Sequence, residues 1–260
     1  MVRTSLCDTM YFSASDDTVS LRLANNVSAA IHSTFPLDES NLILRAAAAL
    51  QDYANVRRGA NIAINKRIPA EAGLAGGSGN AATTLLGLNR LWGLKLKKAE
   101  LHEIAATLGS DINFFVEGSS AAVCTGRGEL VRPIMHGTRM HFVVARPSEG
   151  NSTSAVFGNL QLDGPSRSPQ CVRLALSRGR ASHLPQYMFN RLAASAKLLN
   201  TEMEALLRAM RKCCNAPGFM SGSGSTCFVC ADSARQAQRL ARKLAAELPR
   251  LAFVAAVTSR

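Results

Sequence analysis

The chain has 260 residues, which is enough for one large domain or two small ones, and its 47% of hydrophobic residues can form a sizeable core. Lysine and arginine give a net charge of +12, but they are scattered, so we expect anionic small molecules rather than nucleic acid as partners. No apolar run has the length of a membrane span, and the opening residues are not typical of a secretion signal. We therefore expect a cytoplasmic protein without a membrane anchor.

The first half of the chain mixes strand and helix patterns, which indicates an α+β protein. Strands are predicted for "TVSLRL", "ANIAIN" and "AAVCTG" because apolar residues alternate or cluster there. A helix is predicted for "ESNLILRAAAALQDYA", with Ser40 as its N-cap. Two further helices are indicated by apolar stripes, the first formed by Leu85, Leu88 and Trp92, the second by Leu101, Ile104, Ala105 and Leu108 and ending at Gly109.

The second half starts a new unit near residue 139, where "MHFVVARP" predicts a strand. Residues 161–186 are rich in Pro, Ser and Gly and are predicted to be connecting segments. One continuous helix is predicted for "NRLAASAKLLNTEMEALLRAM", and the chain ends with a helix and a strand. Cys227 and Cys230 have the spacing of metal ligands, but strand geometry places them on opposite faces, so we expect no metal site there.

The stretch "GLAGGSGNAA", residues 73–82, combines glycines with the predicted start of a helix. Glycines let a ligand approach the backbone, and the first N–H groups of a helix attract anions. Ser78 and Asn80 could add hydrogen bonds to a phosphate or to its Mg²⁺. The loop has neither the Walker A ending nor the Rossmann spacing, so a tight structural turn remains an alternative to a phosphate site.

Two other stretches could take part in chemistry. Asp111 in "GSDINFF" stands between a helix end and an apolar segment, where a partly buried carboxylate can act as a general base. The alternative is a helix cap, for which aspartate is also favoured. The glycine-rich "SGSGS", residues 221–225, either holds a substrate or forms a simple bend.

The order of these three stretches resembles that of the GHMP kinases. The likeness runs from near residue 5 to the last strand and is most specific in "INKRIPAEAGLAGGSGNAATTLLGLNRLW" and "LGSDINFFVEGSSAAVCTGRGE". It implies the α+β, two-domain GHMP kinase fold. Residues 1–138 would form an N-terminal domain like the second domain of ribosomal protein S5, and residues 139–260 a ferredoxin-like C-terminal domain. It also implies an ATP-dependent kinase, aided by Mg²⁺, that acts on a small cytidine-containing alcohol of isoprenoid synthesis.

The resemblance also assigns roles to individual residues. Asp111 would accept the proton of the substrate hydroxyl, and Asn41 and Lys66 would contact the adenine side of ATP, although Lys66 could equally be a surface lysine. Phe189 or Tyr187 would stack on the cytosine, unless both are structural. The ATP phosphates would rest on Gly73, Leu74, Ala75, Gly76, Gly77, Ser78, Gly79 and Asn80. The substrate would also contact Gly222, Ser223 and Gly224.

The chain also departs from the family. Its kinases begin with a strand containing Pro-Ala-Lys-Ile-Asn, whose lysine assists the aspartate, followed by Gly-Tyr-His at the cytosine. Here no lysine precedes Lys66, so we expect the family's first strands to be missing, and we favour a start upstream of Met1 over a decayed gene. We expect residues 1–260 alone to be poorly soluble or weakly active. Ala75 replaces a common glycine and should fit only at negative φ.

Three other functions remain open from the sequence. The chain could be another GHMP small-molecule kinase, of the mevalonate or homoserine type, although "GSDINFF" and "TGRGE" argue against that. It could be a catalytically impaired pseudokinase that still binds nucleotide, which the missing lysine favours. Nucleic-acid binding is the third, supported only by charge and by the ribosomal-type fold.

Overall fold

A computed structural model of the chain describes residues 1–24, 35–135, 139–161, 168–178 and 181–260. The described residues form two compact units. Unit 1 consists of Met1, Cys7–Ala70 and Ala75–Pro133, and unit 2 of Val2–Leu6, Glu71–Leu74 and Ile134–Arg260. The main division follows Pro133, whereas the boundary predicted after residue 138 lies at residues outside the described part.

Unit 1 is built on a sheet in which β3 lies between β1 and β2, antiparallel to the first and parallel to the second. A β4–β5 hairpin stands apart from this sheet. The elements of unit 1 are β1 (Thr9–Ser15), β2 (Val19–Leu23), α1 (Leu42–Ala54), β3 (Gly59–Asn65), α2 (Gly76–Leu91), α3 (Lys98–Leu108), α4 (Ile112–Glu117), β4 (Ala122–Thr125) and β5 (Leu130–Pro133).

The core of unit 1 confirms the predicted apolar stripes. Ile62 and Ile64 of β3 are buried against helix residues that include Leu85 and Leu88. Trp92 is also buried, and its indole N–H donates to the carbonyl of Gly59 at 3.0 Å, which satisfies its polar atom inside the core. The apolar faces of β3 and α2 are buried in one core, which fixes the two elements relative to each other. The residues discussed below lie at the C-terminal end of β3 and at the N-terminal end of α2.

Unit 2 contains an antiparallel sheet in the order β7-β8-β6-β9. Helices α8 and α9 pack on one face, and α6 with a 3₁₀ turn packs on the other. The elements are β6 (His141–Arg146), α5 (Thr153–Gly158), α6 (Gln170–Ser177), the 3₁₀ turn (Ala181–Gln186), α7 (Leu192–Leu199), α8 (Thr201–Cys214), β7 (Phe219–Met220), β8 (Cys227–Ala231), α9 (Ala234–Glu247) and β9 (Phe253–Thr258).

The two cysteines of β8 point to opposite faces of this sheet, as predicted. Cys227 packs with the α8 and α9 side and Cys230 with the α6 side. Burial raises the pKa of the Cys227 thiol to about 12 and that of Cys230 to about 11, so both are protonated at neutral pH. Both thiols are part of the core, which is the structural role expected for them.

Three local predictions were wrong. The N-cap of α1 is Asn41, whose side chain accepts from the backbone N–H of Ile43, and not Ser40. Residues 161–186 are not only connections, because α6 lies within them and buries Ala175 and Leu176. The long helix predicted after residue 190 is two helices, because Asn200 adopts an extended conformation and caps α8 through the N–H of Met203.

Within the described residues, no helix is both long and apolar enough to cross a membrane.

Candidate active site

The predicted phosphate loop leads directly into helix α2. Gly76, Gly77, Ser78, Gly79 and Asn80 form its first turn, and Ala75 is the N-cap residue. The side chain of Ala75 cannot accept a hydrogen bond, and within the described residues no side chain caps this end. The first N–H groups of α2 are therefore available to an anion, and the helix dipole adds positive potential there.

Ala75 has a φ of +52°, in the left-handed region, so the prediction that it needs a negative φ was wrong. A residue with a Cβ is strained in this conformation by about 1–2 kcal/mol. Strain of this kind is common where a backbone is shaped for a ligand.

We expect Ala75→Gly to stabilise the protein by about 0.5–1 kcal/mol, because the relief of left-handed strain exceeds the entropy that glycine adds to the unfolded chain. Urea unfolding would measure this. The matched control is Ala48→Gly at an exposed position inside α1, where the same change should cost about 1 kcal/mol. Equal destabilisation by both changes would contradict the strain at Ala75.

In unit 2, Gly73 lies directly against the second glycine-rich loop. The Ser221 hydroxyl donates to the carbonyl of Gly73 at 2.8 Å. A Cβ at Gly73, whose φ is +65°, would come within 2.4 Å of the Ser221 carbonyl oxygen and 2.7 Å of the Gly224 carbonyl oxygen. Two motifs separated by about 150 residues in sequence are thus in backbone contact, and only glycine at position 73 permits it.

Two asparagines and a threonine that the sequence analysis did not single out hold this second loop. Asn190 Nδ2 donates to the carbonyls of Met220 and Gly222, at 3.0 and 2.8 Å. Asn151 is buried and donates to the Ser223 carbonyl at 3.2 Å, while the hydroxyls of Thr153 and Ser223 lie 2.9 Å apart. The loop is therefore fixed in shape, as a binding loop requires.

The aromatic residues predicted to stack on cytosine, Phe189 and Tyr187, are partly exposed at 44% and 38%. Among the described residues of unit 2, the structure shows a third exposed aromatic that sequence reasoning missed. Phe157 is 55% exposed and lies one turn after Thr153 on α5, the helix that contacts Ser223. Only the fold could reveal it, because α5 and the second loop are about 70 residues apart in sequence.

Lys66 and Asn80 are buried, both at 6% exposure, and both contact Asp8. The Asp8 carboxylate lies 2.8 Å from Lys66 Nζ and accepts from Asn80 Nδ2 at 3.0 Å. Lys66 also donates to the Ile68 carbonyl. The structure thus gives these two residues an internal partner beside the start of α2, and their contact with ATP stays a prediction.

Asn41 is also buried, at 6% exposure, and its side chain caps α1. Its amide nitrogen donates to the Pro36 carbonyl at 2.5 Å. The oxygen and the nitrogen of the Asn41 amide therefore each make one hydrogen bond. The predicted contact with adenine would use the second N–H of the amide or the second lone pair of its oxygen.

Asp111 occupies the N-cap position of α4, but its side chain makes no capping hydrogen bond. Within the described residues, no hydrogen bond to its carboxylate is found. Burial raises the pKa of the Asp111 carboxyl, and the Met1 amino group partly opposes this shift. A half-buried carboxylate that is not used as a cap and has a raised pKa has the properties of a general base.

Helix α4, which Asp111 precedes, contacts the phosphate helix, and Asp111 itself lies near the "TGRGE" turn. A Cβ on Gly79, in the first turn of α2, would lie 3.5 Å from the ring of Phe115 in α4. A Cβ on Gly128 would lie 3.2 Å from the Ser110 carbonyl oxygen and 3.5 Å from Asp111 Oδ1. Gly128 has a φ of +126°, so this position of unit 1 requires glycine, and sequence reasoning did not assign it a role.

The described residues contain no group of three His, Cys, Asp or Glu side chains that could hold a metal ion.

The chain is similar to known proteins over most of its length. The family description "GHMP kinases N terminal domain" matches residues 41–124, and "GHMP kinases C terminal" matches residues 173–250. A solved structure of a 4-(cytidine 5'-diphospho)-2C-methyl-D-erythritol kinase is similar with a TM-score of 0.79 and 28% identity, over 99% of this chain and 88% of that one. The homoserine kinase of Cytophaga hutchinsonii shares the fold, with a TM-score of 0.70 and 15% identity.

Two relatives are more similar in sequence. The 4-diphosphocytidyl-2-C-methyl-D-erythritol kinase of Rhodococcus jostii (strain RHA1) is 40% identical over 240 residues, which are 88% of this chain and 76% of that protein. The protein of the same name from Shouchella clausii (strain KSM-K16) is 39% identical over 212 residues, which are 81% of this chain and 71% of that protein. The predicted two-domain GHMP kinase fold is confirmed, and the chain belongs to the 4-diphosphocytidyl-2-C-methyl-D-erythritol kinase family.

Proposed function

We propose that this chain transfers the γ-phosphoryl group of ATP to the 2-hydroxyl of 4-diphosphocytidyl-2-C-methyl-D-erythritol, a reaction of non-mevalonate isoprenoid synthesis. The products are the 2-phosphate and ADP. We also propose that it works in the cytoplasm on small molecules, without a nucleic-acid partner. The single observation that carries the proposal is Asp111, a half-buried carboxylate that is not used as a cap and that precedes α4, a helix in contact with the first turn of α2.

Asp111 is the general base of the proposed reaction. Its carboxylate accepts the proton of the substrate hydroxyl as the hydroxyl oxygen bonds to the γ-phosphorus. The bond between that phosphorus and the bridging oxygen breaks at the same time, and ADP leaves with the electron pair. Because burial raises the pKa of Asp111, the carboxylate is a stronger base than an exposed aspartate would be.

The N-terminal turn of α2 is the part of the chain that fits the ATP phosphates. Phosphate oxygens can accept hydrogen bonds from its first backbone N–H groups and from the hydroxyl of Ser78. Gly77 in this turn is exposed, so a ligand can reach the backbone there. Mg²⁺ bound with ATP would offset charge on the transferring group. Ser78 and the phosphates would hold the ion, since the described residues offer no acidic cluster for it.

An assay of ADP release tests the proposed function. The chain is given ATP, Mg²⁺ and one of three alcohols: diphosphocytidyl methylerythritol, mevalonate or homoserine. Turnover with the first alone supports the proposal. Turnover with another alcohol would assign the chain to a different GHMP kinase activity, and ATP binding without turnover would make it a pseudokinase.

For cytosine recognition, we expect Phe157→Ala to raise the KM for the cytidine substrate about tenfold, since stacking of one base on an aromatic ring contributes about 1–3 kcal/mol. Phe189→Ala is the competing variant, because Phe189 is the residue that the family resemblance suggests. Leu198→Ala, at an 82% exposed apolar side chain of unit 2, is the control and should change nothing. A KM increase in Phe189→Ala alone would return the stacking role to Phe189.

A further inference from the structure

A buried aspartate outside every motif of the sequence connects the predicted nucleotide-binding residues. Asp8 lies just before β1, and its side chain is 2% exposed. Its Oδ1 accepts from the backbone N–H groups of Arg67 and Ile68, at 2.7 and 2.9 Å. Its Oδ2 contacts Lys66 Nζ at 2.8 Å and Asn80 Nδ2 at 3.0 Å. A buried carboxylate with four donors is fully satisfied and held in one orientation.

The partners of Asp8 belong to two different elements of the candidate site. Lys66 and its neighbours directly follow β3, and Asn80 lies in the first turn of α2. The carboxylate therefore ties the end of a core strand to the helix that fits phosphate. The lysine is also very close to that helix end, because a Cβ on Gly76 would lie 3.5 Å from Lys66 Nζ.

The position of the lysine is electrostatically costly without a partner. Its ammonium group is buried, at 4% side-chain exposure, and it lies beside the positive end of the α2 dipole. Both effects disfavour the charged amine. Asp8 is the one anionic group found in contact with it among the described residues, and this carboxylate opposes both effects, although burial still leaves the pKa of Lys66 below its ordinary value.

We propose that Asp8 is a positioning residue for ATP binding: it keeps Lys66 charged and in place at the start of α2 and orients Asn80 there. Asp8 does not touch the nucleotide; it acts through Lys66 and Asn80. The inference rests on the proposed kinase function, because it requires that ATP binds at this helix end.

The first test is Asp8→Asn in the full chain, which keeps the size of the side chain and an acceptor for Arg67 and Ile68 but removes the charge opposite Lys66. We expect the Kd for ATP, measured by calorimetry without the alcohol, to rise about tenfold, the usual effect of losing a charged hydrogen bond. The KM for ATP should rise by a similar factor while kcat changes less than about twofold. Asp17→Asn, at an exposed position of the β1–β2 turn, is the matched control and should bind ATP normally.

A double-mutant cycle separates positioning from general structural damage. Lys66→Met should weaken ATP binding about tenfold by itself, since it removes the charge that Asp8 holds. If Asp8 acts through Lys66, Asp8→Asn should weaken binding much less in the Lys66→Met background than in the unmodified chain. Equal effects in both backgrounds would overturn the inference.

The other possible results of the ATP-binding measurements also decide between the inference and its alternatives. If Asp8→Asn loses its cooperative unfolding, Asp8→Ser, which also removes the charge and keeps a small acceptor, replaces it, and an unchanged Kd for ATP in folded Asp8→Ser would overturn the inference. If the unmodified chain binds ATP and Asp8→Asn binds it equally well, the inference fails and the proposed function stands. If the unmodified chain does not bind ATP at all, the proposed function fails, and the inference fails with it.

Discussion

Asp111→Asn should lower kcat about 10²- to 10⁴-fold, the usual contribution of a general base, while the Kd for ATP stays the same. The substitution keeps the size of the side chain and removes only its capacity to accept a proton. ATP affinity should persist because the N–H groups that suit phosphate belong to α2 and not to α4. The measurement is ADP release at saturating substrates, with calorimetric binding of ATP alongside.

The stability of the same variant distinguishes the base from a helix cap. A capping aspartate contributes about 0.5–2 kcal/mol, which Asp111→Asn would largely keep and Asp111→Ala would lose. The side chain of Asp111 makes no capping bond, so Asp111→Ala should not show that loss. A loss of about 1 kcal/mol or more in urea unfolding of Asp111→Ala would support the cap instead.

The raised pKa of Asp111 also gives the sign of the pH dependence. The folded state holds the proton of this carboxyl more tightly than the unfolded state does, so ionised Asp111 lowers stability at neutral pH. Asp111→Asn should therefore unfold at an equal or higher urea concentration at pH 7. The difference should disappear as the pH falls below the ordinary aspartate range, where both states are protonated.

Catalysis should follow the same titration. In the unmodified chain, kcat/KM should rise with pH and level off above the pKa of Asp111, at a higher pH than an exposed aspartate would give. Asp17→Asn, which removes an exposed carboxylate, should leave this profile unchanged. A profile with no ionisation in the acidic range would remove Asp111 from the role of base.

The parts of the site that could be predicted are those encoded locally. The glycine run at 73–79 and the start of α2 are adjacent in sequence, so the pattern alone indicates a helix end open to an anion. Asp111 was recognisable for the same reason, as an aspartate between a helix end and an apolar run. The positions of α1, α2, α3 and α9 along the chain followed from apolar periodicity, because burial of one face of each helix decides them.

The parts that could not be predicted depend on contacts between distant segments. Asp8 meets Lys66 and Asn80 across 58 and 72 residues, and nothing around Asp8 distinguishes it from an exposed acid. Phe157 becomes a candidate only when α5 is seen against the second glycine-rich loop. The break at Asn200 was hidden by a continuous apolar pattern, because its cause is an amide that also contacts Asn151 at 2.9 Å.

Gly73→Ala should be the most destabilising single substitution in the glycine-rich loops of unit 2, by about 2–4 kcal/mol. Left-handed strain at a φ of +65° contributes about 1–2 kcal/mol. The rest comes from the backbone carbonyls of Ser221 and Gly224, which a Cβ would approach to 2.4 and 2.7 Å and which cannot rotate away as a side chain could. The second loop would have to shift, so the KM for the alcohol substrate should rise as well.

Gly93→Ala isolates the contribution of the contact, because Gly93 has nearly the same φ, +66°, and has nothing within 4 Å of its added Cβ. Both variants carry the left-handed strain and both lose the same entropy of the unfolded chain, so these effects cancel in the comparison. Gly73→Ala should therefore be less stable than Gly93→Ala by about 1–3 kcal/mol, and only Gly73→Ala should impair substrate binding. Equal stabilities in urea would mean that the loop at Ser221–Gly224 moves to accommodate the added methyl group. The backbone contact between the two glycine-rich motifs would then not explain the glycine at position 73.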